Sequence, residues 1–158
     1  MKINLSVNGG DLSTEVAAGD TLLDALRAAG VTSVKDGCSN GDCGSCAVLI
    51  DGRAVASCLL FAPQAEDHEI TTIEGLAGAD EAYHPLQQTM LDAGGVQCGY
   101  CIPAMILTAA DLLEKHPSPT REEISTYLVG NLCRCTGYVK QIDAIEMAAA
   151  ILRGDTDE

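Results

Sequence analysis

The chain contains eight cysteines, and their spacing divides them into two sets of four with none left over. The first set is Cys38, Cys43, Cys46 and Cys58, a C-x4-C-x2-C run followed by a fourth cysteine at the end of an expected hairpin. The second set is Cys98, Cys101, Cys133 and Cys135, a C-x2-C and a C-x-C separated by a helical stretch. Four thiolates per set, twice, is the requirement of two [2Fe–2S] clusters. The first spacing is that of a plant-type cluster. Gly37, Gly41 and Gly44 fall among its cysteines, and glycine lets backbone N–H groups approach sulfur closely. A zinc site of four cysteines usually comes as paired short knuckles, which this run fits poorly. The second set is ambiguous on spacing alone. No βαβ pattern surrounds it, which argues against a thioredoxin-like redox pair, but zinc stays open.

The elements that must position these thiols can be read around them. Residues 2–7 and 11–16 alternate polar and apolar and flank Asn8-Gly9-Gly10, a hairpin signal. Asp20 or Thr21 can cap a helix that stops at Gly30. A glycine-rich loop, 35–46, carries three cysteines. Ala47–Ile50 and Arg53–Cys58 form a second expected hairpin about Asp51-Gly52, and Glu69–Ile73 a last strand. This order predicts a β-grasp domain over residues 1–75. Residues 76–83 lack periodicity and read as a linker.

From residue 84 to 158 the period becomes helical. One helix runs from His84 to Ala93, with Pro85 near its first position. A second opens at Pro103 and ends at His116, carrying Ile106, Ala109, Ala110 and Leu113 on one side. A third follows the T-x-x-E capping box of Thr120 and Glu123. A fourth spans Ile142 to Leu152. The fold class is therefore α+β: a plant-ferredoxin-type β-grasp domain followed by a four-helix bundle. Met90, Met105 and Met147 read as core filler. His68, His84 and His116 lie among charged or capping residues and read as surface groups.

Composition narrows the function. The net charge is −14, and each bound cluster with four thiolates adds about −2. That argues against binding to nucleic acid or anionic membranes, which require basic patches. No stretch approaches the roughly 20 apolar residues of a membrane span. The N-terminus reads as a strand and not as an export signal, so the expected compartment is the reducing cytoplasm. There is no glycine-rich nucleotide fingerprint after a strand and no nucleophile–base constellation. Two redox centres without a substrate site make an electron conduit. The rivals are a free ferredoxin-type carrier and a structural zinc protein.

The flanking residues are more specific than the spacing. Gln97-Cys98-Gly99-Tyr100-Cys101-Ile102-Pro103 and Gly130-Asn131-Leu132-Cys133-Arg134-Cys135-Thr136-Gly137-Tyr138 resemble the second-cluster motifs of molybdenum hydroxylases, the xanthine dehydrogenase and aldehyde oxidase family. Lys35-Asp36-Gly37-Cys38 through Cys46 resembles the first-cluster loop of that family. The resemblance covers nearly the whole chain, in the family's order, and points to a separate small iron–sulfur subunit.

The resemblance implies partners. A large subunit would bind molybdopterin and hydroxylate substrate with oxygen from water. A medium subunit would bind FAD, in a heterotrimer or a dimer of heterotrimers. The cluster on Cys98, Cys101, Cys133 and Cys135 would lie nearest the molybdenum cofactor, and that on Cys38, Cys43, Cys46 and Cys58 nearer the flavin. Gln97 matches a glutamine that hydrogen-bonds the pterin, and Cys135 a ligand whose sulfur approaches the pterin amino group. Arg134 could raise the cluster potential or face solvent or a partner. Two departures stand out. Ala104 replaces a frequent Gly, with little expected cost. The loop Cys38-Ser39-Asn40-Gly41-Asp42-Cys43 lacks the Asp-Thr-Ser form common in carbon monoxide dehydrogenases. It is closer to hydroxylases of N-heterocycles and to aromatic acyl-CoA reductases.

Overall fold

The computed structural model describes residues 1–77 and 83–155. The expected linker falls largely on 78–82, outside the described residues. In the N-terminal half, alternation of buried Ile3 and Leu5 with exposed neighbours produces β1 (Lys2–Val7). It pairs antiparallel with β2 (Gly10–Glu15), setting Ile3 opposite Thr14 and Leu5 opposite Leu12. Asn8 and Gly9 both take positive φ, 55° and 72°, which closes the tight turn that matches strand twist. Asp51 and Gly52 do the same between β3 (Ala47–Ile50) and β4 (Arg53–Ala56). β5 (Glu69–Thr71) runs parallel to β1 and antiparallel to β3, giving the mixed order β2-β1-β5-β3-β4.

Helix α1 (Leu22–Ala28) starts at a capping box in which Thr21 and Asp24 satisfy each other's backbone N–H groups. Thr21, not Asp20, is the cap. Its buried face, Leu22, Leu23 and Leu26, joins Ile3, Leu5, Val48 and Ile70 in one core. This is the β-grasp arrangement that the sequence predicts.

The C-terminal half holds α2 (Pro85–Asp92), α3 (Ile102–Lys115), α4 (Arg121–Tyr127) and α5 (Val139–Arg153). Leu86, Met90, Met105, Leu112, Ile124 and Ile145 are buried in a second core. Each such side chain contributes about 1.5–3 kcal/mol by leaving water. The fold is α+β. Three details differ from the sequence reading. Helix α3 is buried on most of its circumference and not on one side, because it packs on β3 and β4 as well as on α2 and α4. Helix α5 begins three residues before Ile142, because Tyr138 in the left-handed region (φ 69°) turns the chain directly into it. Met147 is 44% exposed and fills no core.

The two halves are pinned by one carboxylate. Asp111 on α3 is 4% exposed. It accepts the Ala54 N–H of β4 at 3.1 Å and the Tyr127 hydroxyl of α4 at 2.8 Å, and pairs with Lys115 at 2.7 Å. Burial pushes its carboxyl up, but the bonds from Lys115, Tyr127 and Ala54 outweigh that and hold it below the ordinary carboxylate value. Asp111→Ala strands a buried N–H and a hydroxyl, so it should lower stability by about 2–3 kcal/mol in urea unfolding. A depressed carboxyl stabilises fully above its unfolded pKa and loses that contribution as pH falls through the folded value. The difference between wild type and variant should therefore be full at neutral pH and shrink in acid.

Candidate iron–sulfur sites

The first set of thiols is gathered at one end of the sheet. Arg27 on α1 donates to the Val34 carbonyl at 2.7 Å, and buried Val34 anchors the chain entering the loop. The loop then turns back at Ser39 and Gly41, both at positive φ, and delivers Cys46 to the start of β3. Cys58 sits in a 3-10 turn (Ser57–Leu59) directly after β4. That turn is fixed from both sides. The Ser57 hydroxyl donates to the Cys46 carbonyl at 2.8 Å, and the Leu22 N–H of α1 donates to the Leu60 carbonyl at 2.8 Å. The hairpin therefore brings Cys58 back beside Cys46.

The second set is built on helix ends. Cys101 is the N-cap of α3, so the positive end of that helix points at this site. Cys133 and Cys135 occupy the loop between a 3-10 turn (Leu128–Gly130) and α5. The Tyr138 hydroxyl accepts the Cys133 N–H at 2.7 Å and lies 3.3 Å from the Asn131 carbonyl, to which it donates. The Thr136 hydroxyl is 3.1 Å from the Cys133 sulfur. All four cysteines line one small cavity with Gln97, Thr136 and Gln141.

Among the described residues no three His, Cys, Asp or Glu side chains close on a single ion. The thiols instead meet in pairs: Cys38 with Cys43, Cys46 with Cys58, Cys101 with Cys133, and Cys98 with Cys135. Electrostatic influence of Cys38 on Cys58, of Cys98 on Cys101 and of Cys133 on Cys135 relates the pairs within each of the two sets. A [2Fe–2S] core divides its protein ligands between two irons, so a two-and-two arrangement of soft thiolates fits it.

The surroundings treat the pairs unequally. The backbone N–H groups of Asn40, Cys43 and Asp42 bring the Cys38 thiol down to about 7. The Cys43 N–H lies 3.4 Å from that sulfur. Burial pushes Cys133 up, but Thr136 and the N–H groups of Cys135 and Thr136 bring it down to about 7. Burial and then Cys46 push Cys58 up to about 11, while burial and then Cys133 push Cys101 up to about 12. Contact with Cys98 raises Cys135. Each set thus contains one thiol that ionises near neutrality and one buried thiol that needs a metal to displace its proton; in the first set they lie in different pairs, in the second they are the same pair.

The two sites are laced together by hydrogen bonds onto backbone carbonyls of the first loop. The Leu132 N–H, next to Cys133, donates to the Cys43 carbonyl at 2.9 Å. The Asn131 side chain donates to the Gly44 carbonyl at 3.2 Å, and the Tyr100 hydroxyl to the Asp36 carbonyl at 2.6 Å. Sequence reasoning missed these partners, since residues 44 and 131 are 87 apart in the chain. It also missed Gln141. The available signal was a polar residue on the i, i+4, i+7 stripe that Gln141 shares with Ile145 and Ala148.

With this geometry in view, comparison with known proteins is direct. The family model described as 2Fe-2S iron-sulfur cluster binding domain matches residues 5–77, and that described as [2Fe-2S] binding domain matches 72–146. The chain is 51% identical over 147 residues to the nicotinate dehydrogenase small FeS subunit of Eubacterium barkeri, covering 92% of this chain and 93% of that one. It is 43% identical over 145 residues to the xanthine dehydrogenase iron-sulfur-binding subunit of Escherichia coli O157:H7, covering 90% and 91%. Its structure matches quinoline 2-oxidoreductase from Pseudomonas putida 86 with a TM-score of 0.89 at 42% identity, covering 99% of this chain and 98% of that one. The chain belongs to the small iron–sulfur subunits of the molybdenum hydroxylases. It is an electron-transfer subunit of a multi-subunit oxidoreductase, with two 2Fe–2S binding domains. No helix among the described residues is long and apolar enough to cross a membrane.

Gly44 is where the lacing is tightest. It has φ 68°, and a Cβ there would stand 2.1 Å from the Gly130 carbonyl oxygen. Gly44→Ala should cost on the order of 3 kcal/mol or more, through left-handed strain plus displacement of the loop. Gly9 has φ 72° with nothing within 4 Å of such a Cβ. Gly9→Ala should cost only about 1–2 kcal/mol. Denaturant midpoints of both variants check the contrast, and the visible cluster absorbance should be lost from Gly44→Ala alone.

Proposed function

We propose that the chain conducts single electrons between a large molybdopterin-binding subunit and a medium FAD-binding subunit. The assembly would be a heterotrimer or a dimer of heterotrimers in the cytoplasm. Cys38, Cys43, Cys46 and Cys58 hold the first [2Fe–2S] cluster, and Cys98, Cys101, Cys133 and Cys135 the second. Within each set, each contacting pair of thiols takes one iron. Bound clusters supply one-electron redox chemistry. The chain's own contribution is to hold the two sites at a fixed separation, deliver N–H groups to the sulfurs and exclude water from the buried thiols. The domains are 1–75 and 84–158, joined by 76–83.

The observation that carries this reading is the meeting of the two cysteine sets through Leu132 and Cys43. Each site lies on one side of that bond, so a carrier entering at one end can leave at the other. Orientation is supported by exposure. Gln97, Cys98 and Cys135 are exposed at the rim of the second site. We assign that rim to the molybdopterin side, with Gln97 hydrogen-bonding the pterin and the Cys135 sulfur approaching its amino group. Exposed Leu59 and Phe61 beside Cys58, and Val129, Leu132 and Val139 beside the second site, are apolar residues suited to cover by partners. The full-length subunit relatives favour this role over a free ferredoxin. The substrate class is an aromatic, N-heterocyclic or aldehyde molecule. The loop sequence between Cys38 and Cys43 and the nicotinate and quinoline names of the relatives favour an N-heterocycle.

The test is substitution in the assembled complex. Changing any of Cys98, Cys101, Cys133 or Cys135 to Ser should lower turnover with an artificial acceptor at the flavin by more than about 100-fold. Substrate should still reduce the molybdenum. Wild-type turnover in any of the four contradicts the assignment.

A further inference from the structure

Helix α5 presents an apolar stripe to the helical core, made by Ile142, Ala144, Ile145, Ala148 and Ala149. Its first buried turn breaks the pattern with Gln141, which is 0% exposed. The Gln141 Nε2 lies 3.6 Å from the Cys133 sulfur and 4.0 Å from the Cys101 sulfur. Its Oε1 is buried and has no hydrogen-bond partner among the described residues. Gln141 also lines the cavity that the four cysteines share.

An amide buried with an orphaned carbonyl is costly, and a leucine would suit the surrounding core better. Thiolate sulfurs only accept hydrogen bonds, so the NH₂ end must face them whenever they are ionised. That orientation leaves the carbonyl oxygen unpaired as the consequence of aiming the donor. We infer that Gln141 is a positioning residue that raises the reduction potential of the second cluster by donating its side-chain amide to the Cys101 and Cys133 sulfurs. The physical basis is simple. Reduction adds one electron to a cluster already carrying about −2. A donor dipole at the ligand sulfurs favours the more negative state, and in a dry site this preference is strong. The inference rests on the ligand assignment proposed above.

The test is a redox titration of the assembled complex followed by electron paramagnetic resonance, with the first cluster as internal reference. Gln141→Leu keeps the volume and removes the donor. Gln141→Met keeps an unbranched chain with no N–H. In both variants the equilibrium constant for reducing the second cluster should fall about tenfold, a shift of about 59 mV for a one-electron couple. The first cluster should not move. An unchanged second potential in a variant that retains its cluster overturns the inference. So does loss of the second cluster in both variants, which would make Gln141 an assembly residue. Absence of a second signal from the wild type would instead sink the ligand assignment itself.

Discussion

The contact on which the rest of this molecule depends is the close passage of the first cysteine loop over the chain before the second C-x-C motif. At Gly44 the loop lies so near Gly130 that no side chain fits between them. Leu132 and Asn131 then bond the carbonyls of Cys43 and Gly44. A seam this close has little freedom, because both segments of it are also bound to their own halves. The Asp111 carboxylate holds the same two halves together further along α3. An electron conduit needs its two centres at a constant spacing more than it needs either one to be individually stable. Two small cores joined by a rigid seam meet that need.

The electrostatics follow from the same arrangement. The chain carries a net charge of −14 and must hold further anionic centres. Distant acidic side chains are screened within about 8–10 Å at physiological salt. What acts on the sulfurs is therefore local: the N–H groups of the first loop, the start of α3, Thr136 and the Gln141 amide. Each is a dipole and not a charge, so it stabilises anionic sulfur without altering the sign of the surface.

Much of this was legible in the chain because the signals are local. Asn8-Gly9 and Asp51-Gly52 fold the expected turns because both pairs tolerate positive φ. Thr120 and Glu123 form the expected capping box. Each pair of thiols that meets in space falls within one of the two sets read from spacing. What was illegible depends on distant partners. Periodicity could not say that α3 would be covered on most faces, since its second neighbour is a sheet from the other half. It could not distinguish Met147, on the exposed side of α5, from Met90 and Met105 in the core. Gln141 was hidden by an early helix start, because a left-handed Tyr138 is no common signal for entering a helix.

The most direct measurement of the central claim is metal and spin counting on the purified complex. Two [2Fe–2S] clusters per chain require about four iron atoms and about four labile sulfides for each copy of this chain. Full reduction should give two distinct paramagnetic signals, each integrating to one spin per chain, because the two thiol environments differ. Stoichiometric zinc, or a single signal integrating to one cluster, would contradict the account.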